Sequence, residues 1–330
     1  MNFVNNTPWQ ARFHFGSAGQ EVNVASVVAR ATFQLVSPTM LVPANDPWPV
    51  FAAPIHTIFG TFPADSSPNR VGCDLIALGT ATSRTPVTWL NARVRAGNFA
   101  SEILVVGDRV WTKRGGTLAA SAPRAFTEMP INWSRALGGT LLQDGQSVPD
   151  PLNPEGRGAY LTEMDAVDNP LPNLMDPCQP ISSWDDRLLP VAWGPISNAP
   201  AWQMAAWLME RNRLRRPSPT EAECFQRAAE CFMCAAPPRN LMQRLEIDDP
   251  VSIEFGDTVA SFRVPRLALA LDAEIGTERV TYPLTFSGLW ILLDAKLVIF
   301  TLQTVFRYAL RPYDVRTAIL RETSPAINGG

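Results

Sequence analysis

The chain has 330 residues, 46% of them hydrophobic and 18% charged, which is enough apolar material for a buried core in one large domain or two ordinary ones. Its formal net charge of -3 lacks the surplus of lysine and arginine that phosphate contacts need, so nucleic acid is not an expected partner. Five cysteines, an odd number without regular spacing, fit a reducing compartment better than a disulfide framework.

The opening stretch MNFVNNTPWQARFHFGSAG has neither the basic start nor the apolar run of a secretory signal, and a cytoplasmic location is expected. In VVARATFQL, Val27, Ala29, Ala31, Phe33 and Leu35 fall on one face of a strand and Val28, Arg30, Thr32 and Gln34 on the other. CDLIALGTA, WLNARVRAG and SEILVVGDRVW are further strand candidates, separated by turn-forming residues, and predict an antiparallel sheet. Residues 136–200 are irregular and rich in Gly, Pro, Asn and Asp. Their tryptophans and leucines predict a segment that packs rather than a disordered linker.

Two helices are expected next. In APAWQMAAWLMERNRL, Trp202, Ala205, Ala206 and Met209 share one helical face. TEAECFQRAAECFMC opens with Thr220 and Glu223 at capping-box spacing and is stopped by the prolines that follow. RNRLRRP, Arg211 to Pro217, reads as a solvated helix end, where cations are favoured. Strands then return: VSIEF, ASFRV, RLALALD, VTYPLTF, GLWILL and KLVIFTLQTVFRY. Asp294 and Lys296 interrupt the last apolar run too early for a membrane span and predict two strands joined by a turn at LDAK. The expected fold is mainly β with a minor α+β element. Two β-rich antiparallel lobes (1–135 and 245–330) are joined through a loop-rich and helical waist (136–244), the whole forming one unit over 1–330.

Chemistry-bearing clusters are sparse. Cys224 and Cys231 lie about 10 Å apart along a straight helix, too far to share one zinc ion, and Cys231 with Cys234 lacks two further local ligands. His14 and His56 are the two histidines, and no nucleophile elbow, HExxH pair, Walker loop or GxGxxG fingerprint occurs. Neighbouring carboxylates at Asp185-Asp186 and Asp248-Asp249 point to opposite sides of an extended chain, so neither dipeptide is a catalytic pair by itself. Neither a cofactor nor a metal is expected. In SSWDDRLLPVAWGPIS the reading is a loop locked by Trp184, Asp186 and Arg187, with Arg187 anchoring a polar network.

The ordered motifs are more specific. GDRVW (Gly107 to Trp111), PRAFTEMPINWSRALGG (Pro123 to Gly139), NPEGRG (Asn153 to Gly158), LPNLMDP (Leu171 to Pro177), SWDDRLLPVAWGP (Ser183 to Pro195) and FMCAAPP follow one another along the chain. Together they resemble the bacterial family known as domain of unknown function 2169. The resemblance implies an adaptor or chaperone of type VI secretion, which holds a toxic effector protein in the cytoplasm and helps load it onto a VgrG spike with a PAAR-type tip. It also singles out Asp108, Arg109, Trp111, Pro130, Gly138, Gly139, Asn153, Pro154, Gly156, Asn173, Trp184, Asp186 and Arg187 as structural or partner-binding candidates. Two alternatives belong to other classes: a metal-dependent hydrolase using Asp108, Asp185 or Asp186, and a structural accessory of the spike.

Overall fold

The structure is a computed structural model, and it describes all residues except 18–21, 66–71, 144–145, 197–198, 214–215, 218–219, 221–234, 310–315 and 324–330. Most of the second expected helix, with Cys224, Cys231 and Cys234, lies outside the described residues. The principal strands in chain order are β1 (Asn2–Asn5), β2 (Gln10–Ser17), β3 (Val22–Ser37), β4 (Cys73–Val87), β5 (Trp89–Ala96), β6 (Phe99–Val106), β7 (Phe126–Ile131), β8 (Pro250–Phe255), β9 (Thr258–Arg263), β10 (Leu269–Ile275), β11 (Glu278–Pro283), β12 (Thr285–Leu292), β13 (Leu297–Ala309) and β14 (Arg316–Glu322). The described helices include α1 (Glu163–Ala166) and α2 (Ala199–Arg213). The fold is mainly β.

Among the described residues the strands assort into three large sheets. The largest, eight-stranded, runs β7-β4-β12-β13-β3-β2, with Leu241–Met242 added to β4 and Met40–Pro43 to β3. A five-stranded sheet runs Leu174–Met175, β6, β5, β8, β9, and a four-stranded one β1-β14-β10-β11. The two β-rich stretches of sequence are therefore interleaved in space. β12 pairs in parallel with β4, Leu289 opposite Leu75, and β13 pairs antiparallel with β3 from Leu297↔Gln34 to Ala309↔Val22. In the five-stranded sheet β8 likewise pairs with β5. The turn at LDAK joins β12 to β13 as the interrupted apolar run predicts; Lys296 takes a positive φ of 55° there, and its N–H donates to the Leu293 carbonyl at 2.9 Å.

The alternation in β3 resolves into two cores. Ala25, Val27, Ala29, Ala31, Phe33 and Leu35 face the main core, which the five- and four-stranded sheets close with Val94, Ile103, Ile253, Leu271 and Leu320. On the opposite face Val28, Arg30 and Thr32 are also buried, under residues 48–65 and Ala235–Ala236, whereas Gln34 is exposed. Phe51, Phe62, Ile76, Trp290 and Ile299 form a second apolar cluster there. Arg30 lies fully buried within it. Its Nη2 donates to Asp65 Oδ1 at 2.6 Å, Nη1 donates to the Pro49 carbonyl, and the guanidinium stacks 4.3 Å from the Trp290 ring centre and 4.7 Å from that of Phe51. Asp65 Oδ2 in turn accepts the Phe51 N–H at 2.6 Å. One ion pair thus fixes the register of the covering segment on the sheet.

Removing one member of a desolvated pair leaves the other charge buried, at a cost of roughly 3–5 kcal/mol. Asp65→Ala is accordingly expected to lower unfolding free energy by about that amount in urea titration. A loss below about 1 kcal/mol would show that the cover does not depend on the pair.

Candidate functional site

The irregular middle of the chain folds into loops cross-braced by asparagine side chains. An amide offers two donors and an acceptor, so one Asn can tie together separate backbone segments that have no sheet partners. Asn153 is buried, and its Nδ2 donates to the Trp133 and Leu137 carbonyls, both at 2.9 Å. Its own carbonyl accepts the Gly139 N–H at 2.8 Å and the Gly156 N–H at 3.2 Å. A Cβ on Gly138 would fall inside contact distance of the Asn153 carbonyl, and Gly138 has φ 140°. The Gly-Gly pair is therefore needed for close backbone approach. Pro154, next in sequence, is exposed.

Asn173, fully buried, does the same work one layer away. Its Nδ2 donates to the Val106 carbonyl at 2.9 Å and to Asp108 Oδ1 at 3.0 Å, and its Oδ1 accepts from Arg135 Nη1 at 3.3 Å. Asp108 also pairs with Arg135 at 3.1 Å and approaches Arg157 at 4.0 Å. Burial and the neighbouring Arg135 charge both hold the Arg157 pKa below its ordinary value, against the opposing pull of Asp108. Arg157 Nε donates to the Ser134 carbonyl at 2.8 Å. Trp111 is buried with Ala166 and Leu171 in a third small cluster, with Trp184 packed at its edge. Tyr160 lies beside it; its hydroxyl donates to the Pro170 carbonyl, and burial pushes its pKa up to about 12. Pro130 sits in β7 opposite Thr80.

The structure thus gathers these residues into two groups, Gly139, Asn153 and Gly156 with Gly138 packed against them, and Asp108 with Asn173, to which it adds Arg135 and Arg157 from the quoted motifs. In SSWDDRLLPVAWGPIS it bears out Asp186 as a lock of its loop and corrects the reading of Arg187. Asp186 Oδ2 accepts from the Ser182 and Ser183 N–H groups at 2.7 and 2.9 Å and from Ser182 Oγ at 3.1 Å, while Asp185 accepts from Ser183 Oγ. Arg187 is exposed and makes one bond, to the Tyr160 carbonyl at 3.2 Å, so it holds no buried network. The far end of the segment is anchored by Trp193. It stacks on Phe255 at 5.3 Å, its indole donates to Ser101 Oγ at 2.9 Å, and its carbonyl accepts the Ala77 N–H at 2.9 Å.

Two further expectations are adjusted. On α2, Trp202 is buried, 5.1 Å from the Trp133 ring, and its indole donates to the Leu152 carbonyl; Met209, expected on the same buried face, is exposed at the far end. His14 lies in β2, with its pKa lowered by burial and by Arg12, while His56 Nδ1 bonds Thr61 Oγ1 at 2.8 Å in a separate hairpin. Among the described residues no group of three or more His, Cys, Asp or Glu side chains is placed to hold a metal ion. No helix there is long and apolar enough to cross a membrane.

Asn153→Ala removes two buried hydrogen bonds, to the Trp133 and Leu137 carbonyls, each worth about 0.5–1.5 kcal/mol, whereas Arg187→Ala removes an exposed contact and should stay within about 0.5 kcal/mol of the parent. Chemical denaturation of both variants checks the contrast, and equal losses would refute it. Partial burial acts to raise the Asp186 pKa, but the donors from Ser183 and Ser182 outweigh it and hold it below the ordinary carboxylate range. A depressed folded-state pKa means the brace is fully present above ordinary carboxylate values, about 4, and is lost as pH falls through the lower folded value. Amide exchange at Ser182 and Ser183, corrected for its intrinsic pH dependence, should lose protection in that acid window. In Asp186→Asn the acid-dependent step should vanish.

A family model described as "Uncharacterized protein conserved in bacteria (DUF2169)" matches residues 20–303. No curated protein and no solved structure matches the chain. The family match covers every ordered motif described above and well over half of the chain, and the protein belongs to this family of uncharacterised bacterial proteins.

Proposed function

We propose that the protein is a non-catalytic adaptor that holds a toxic effector protein and presents it to a VgrG spike with a PAAR-type tip. The observation that carries this reading is where the motif side chains are spent. Gly138, Gly139, Asn153, Gly156 and Asn173 hold backbone to backbone, and Asp108 completes the brace through Arg135. Asp185 and Asp186 take donors from their own loop. These residues build a stiff loop platform on the edges of two sheets. A pre-ordered surface loses less conformational entropy when a partner docks, which suits a protein that must grip a cargo and later release it.

The test is affinity co-purification of the tagged full chain from its source bacterium, followed by mass spectrometry. Recovery of a toxin together with a spike component in stoichiometric amount is the expected result. Recovery of the chain alone, at an expression level where a bait of known partner succeeds, would sink the adaptor reading.

A further inference from the structure

Glycine inside a strand marks a bulge or a point where another group must come close to the backbone. Gly288 is buried within β12, directly after a register shift between Phe286 and Gly288. It stands opposite Thr301 of β13 on one side and Asp74 of β4 on the other, and Thr301 in turn stands opposite Arg30 of β3. Asp74, Gly288, Thr301 and Arg30 therefore form one row across the covered face of the large sheet. Asp74, Thr301 and Arg30 are all buried, so the row is a polar band with a side chain missing at Gly288.

Both charged members of the row are answered by protein groups. The Asp74 carboxylate accepts the Ala235 and Ala236 N–H groups at 2.9 and 3.4 Å, and Arg30 donates to Asp65 and to the Pro49 carbonyl. Two neutral groups differ. Trp290 Nε1 and Thr301 Oγ1 are fully buried and have no hydrogen-bond partner among the described residues. Both face the position of the missing side chain: a Cβ on Gly288 would stand 3.3 Å from Trp290 Nε1, 3.4 Å from Thr301 Cβ and 3.5 Å from Thr301 Oγ1. A methyl there would touch both atoms and satisfy neither, whereas an oxygen seated over the glycine can bond to both. A buried indole N–H left without an acceptor costs free energy, and such groups ordinarily find a partner.

We propose that Gly288 is the seat of one internal water molecule, whose oxygen accepts the Trp290 indole proton and which bonds Thr301 Oγ1. Two polar partners are enough to hold a buried water, and a hydroxyl serves as donor or acceptor as the site requires. The chemistry selects water over an ion, because the two open groups are neutral and the charges at Asp74 and Arg30 already have counterparts. The site also bears on the cover of the sheet. The Trp290 ring lies 4.3 Å from the Arg30 guanidinium and 4.7 Å from the Phe62 ring. A water that ties the indole edge to β13 fixes the plane of that ring, and so acts with Asp65 in setting where the covering segment rests.

The test is NMR of the full chain carrying nitrogen-15-labelled tryptophan, with the Trp290 indole signal assigned as the one lost in Trp290→Phe. That indole proton should show a dipolar cross-peak at the water frequency, of opposite sign in laboratory-frame and rotating-frame experiments, as a long-lived bound water gives. Gly288→Ala puts a methyl in the seat of the water and keeps the Thr301 hydroxyl. The cross-peak should therefore be lost in that variant while the other indole signals stay in place. A cross-peak that survives in a folded Gly288→Ala would come from the Thr301 hydroxyl and overturn the site, and so would the lack of a cross-peak in the parent. If Gly288→Ala fails to fold, a crystal structure of the parent decides. A water oxygen within about 3.2 Å of both Trp290 Nε1 and Thr301 Oγ1 is the expected result. A protein partner on either atom, or no ordered water between them, refutes the proposal.

Discussion

The large sheet is buried on both faces, and most of the architecture answers that single constraint. One face of β3 is small and aliphatic, and two further sheets close over it. The other face carries Arg30, which cannot stay charged in an apolar layer without acceptors. The segment 48–65 supplies the Asp65 carboxylate, the Pro49 carbonyl and the face of Phe51, and strand β12 adds the face of Trp290. A hydrophobic cover alone could slide on the sheet; one that must meet a buried guanidinium has a single register. The ion pair is thus better understood as specifying position than as adding net stability, since its Coulombic gain is largely offset by desolvation.

With the sheets pinned, the loops between them can be long without being loose. Residues 107–111, 133–139, 153–158 and 171–176 lie mostly outside regular ladders, yet their buried N–H and C=O groups must still be satisfied. Asn153 and Asn173 supply bonds that a neighbouring strand would otherwise give, and glycine lets the chains come close enough to use them. The proline-rich composition fits the same logic. Proline removes a donor and fixes φ, which costs little where the chain is held by side-chain amides rather than by ladder bonds.

The local period of the strands was legible in the sequence because side-chain alternation follows directly from backbone geometry. VVARATFQL gave both faces of β3 correctly, and the charged pair inside GLWILLDAKLVIF marked a turn. Strand partnership was not legible. That β12 lies beside β4, more than 200 residues earlier, depends on long-range packing that no local window contains. Nor did Arg30 announce that its side of the strand was buried, since alternation says which residues share a face and not what covers it. Within the motifs, residue type was a poor guide to burial. Trp184 and Trp193 occupy one motif, but the second lies at the contact between the sheets while the first rests on a surface cluster. Asp186 and Arg187 are adjacent yet have separate partners: Asp186 closes a turn back onto Ser182 and Ser183, while Arg187 reaches the Tyr160 carbonyl.

The brace and the apolar side chains beside it share their chain segments. Leu137 immediately precedes the Gly138-Gly139 approach to Asn153, and Leu174 immediately follows Asn173. These apolar side chains are positioned by the amides that stabilise the loops. Damage to the brace should therefore loosen these apolar contacts as well as the loops themselves. Residues that mark the family so clearly in the sequence thus have structural work inside the loops.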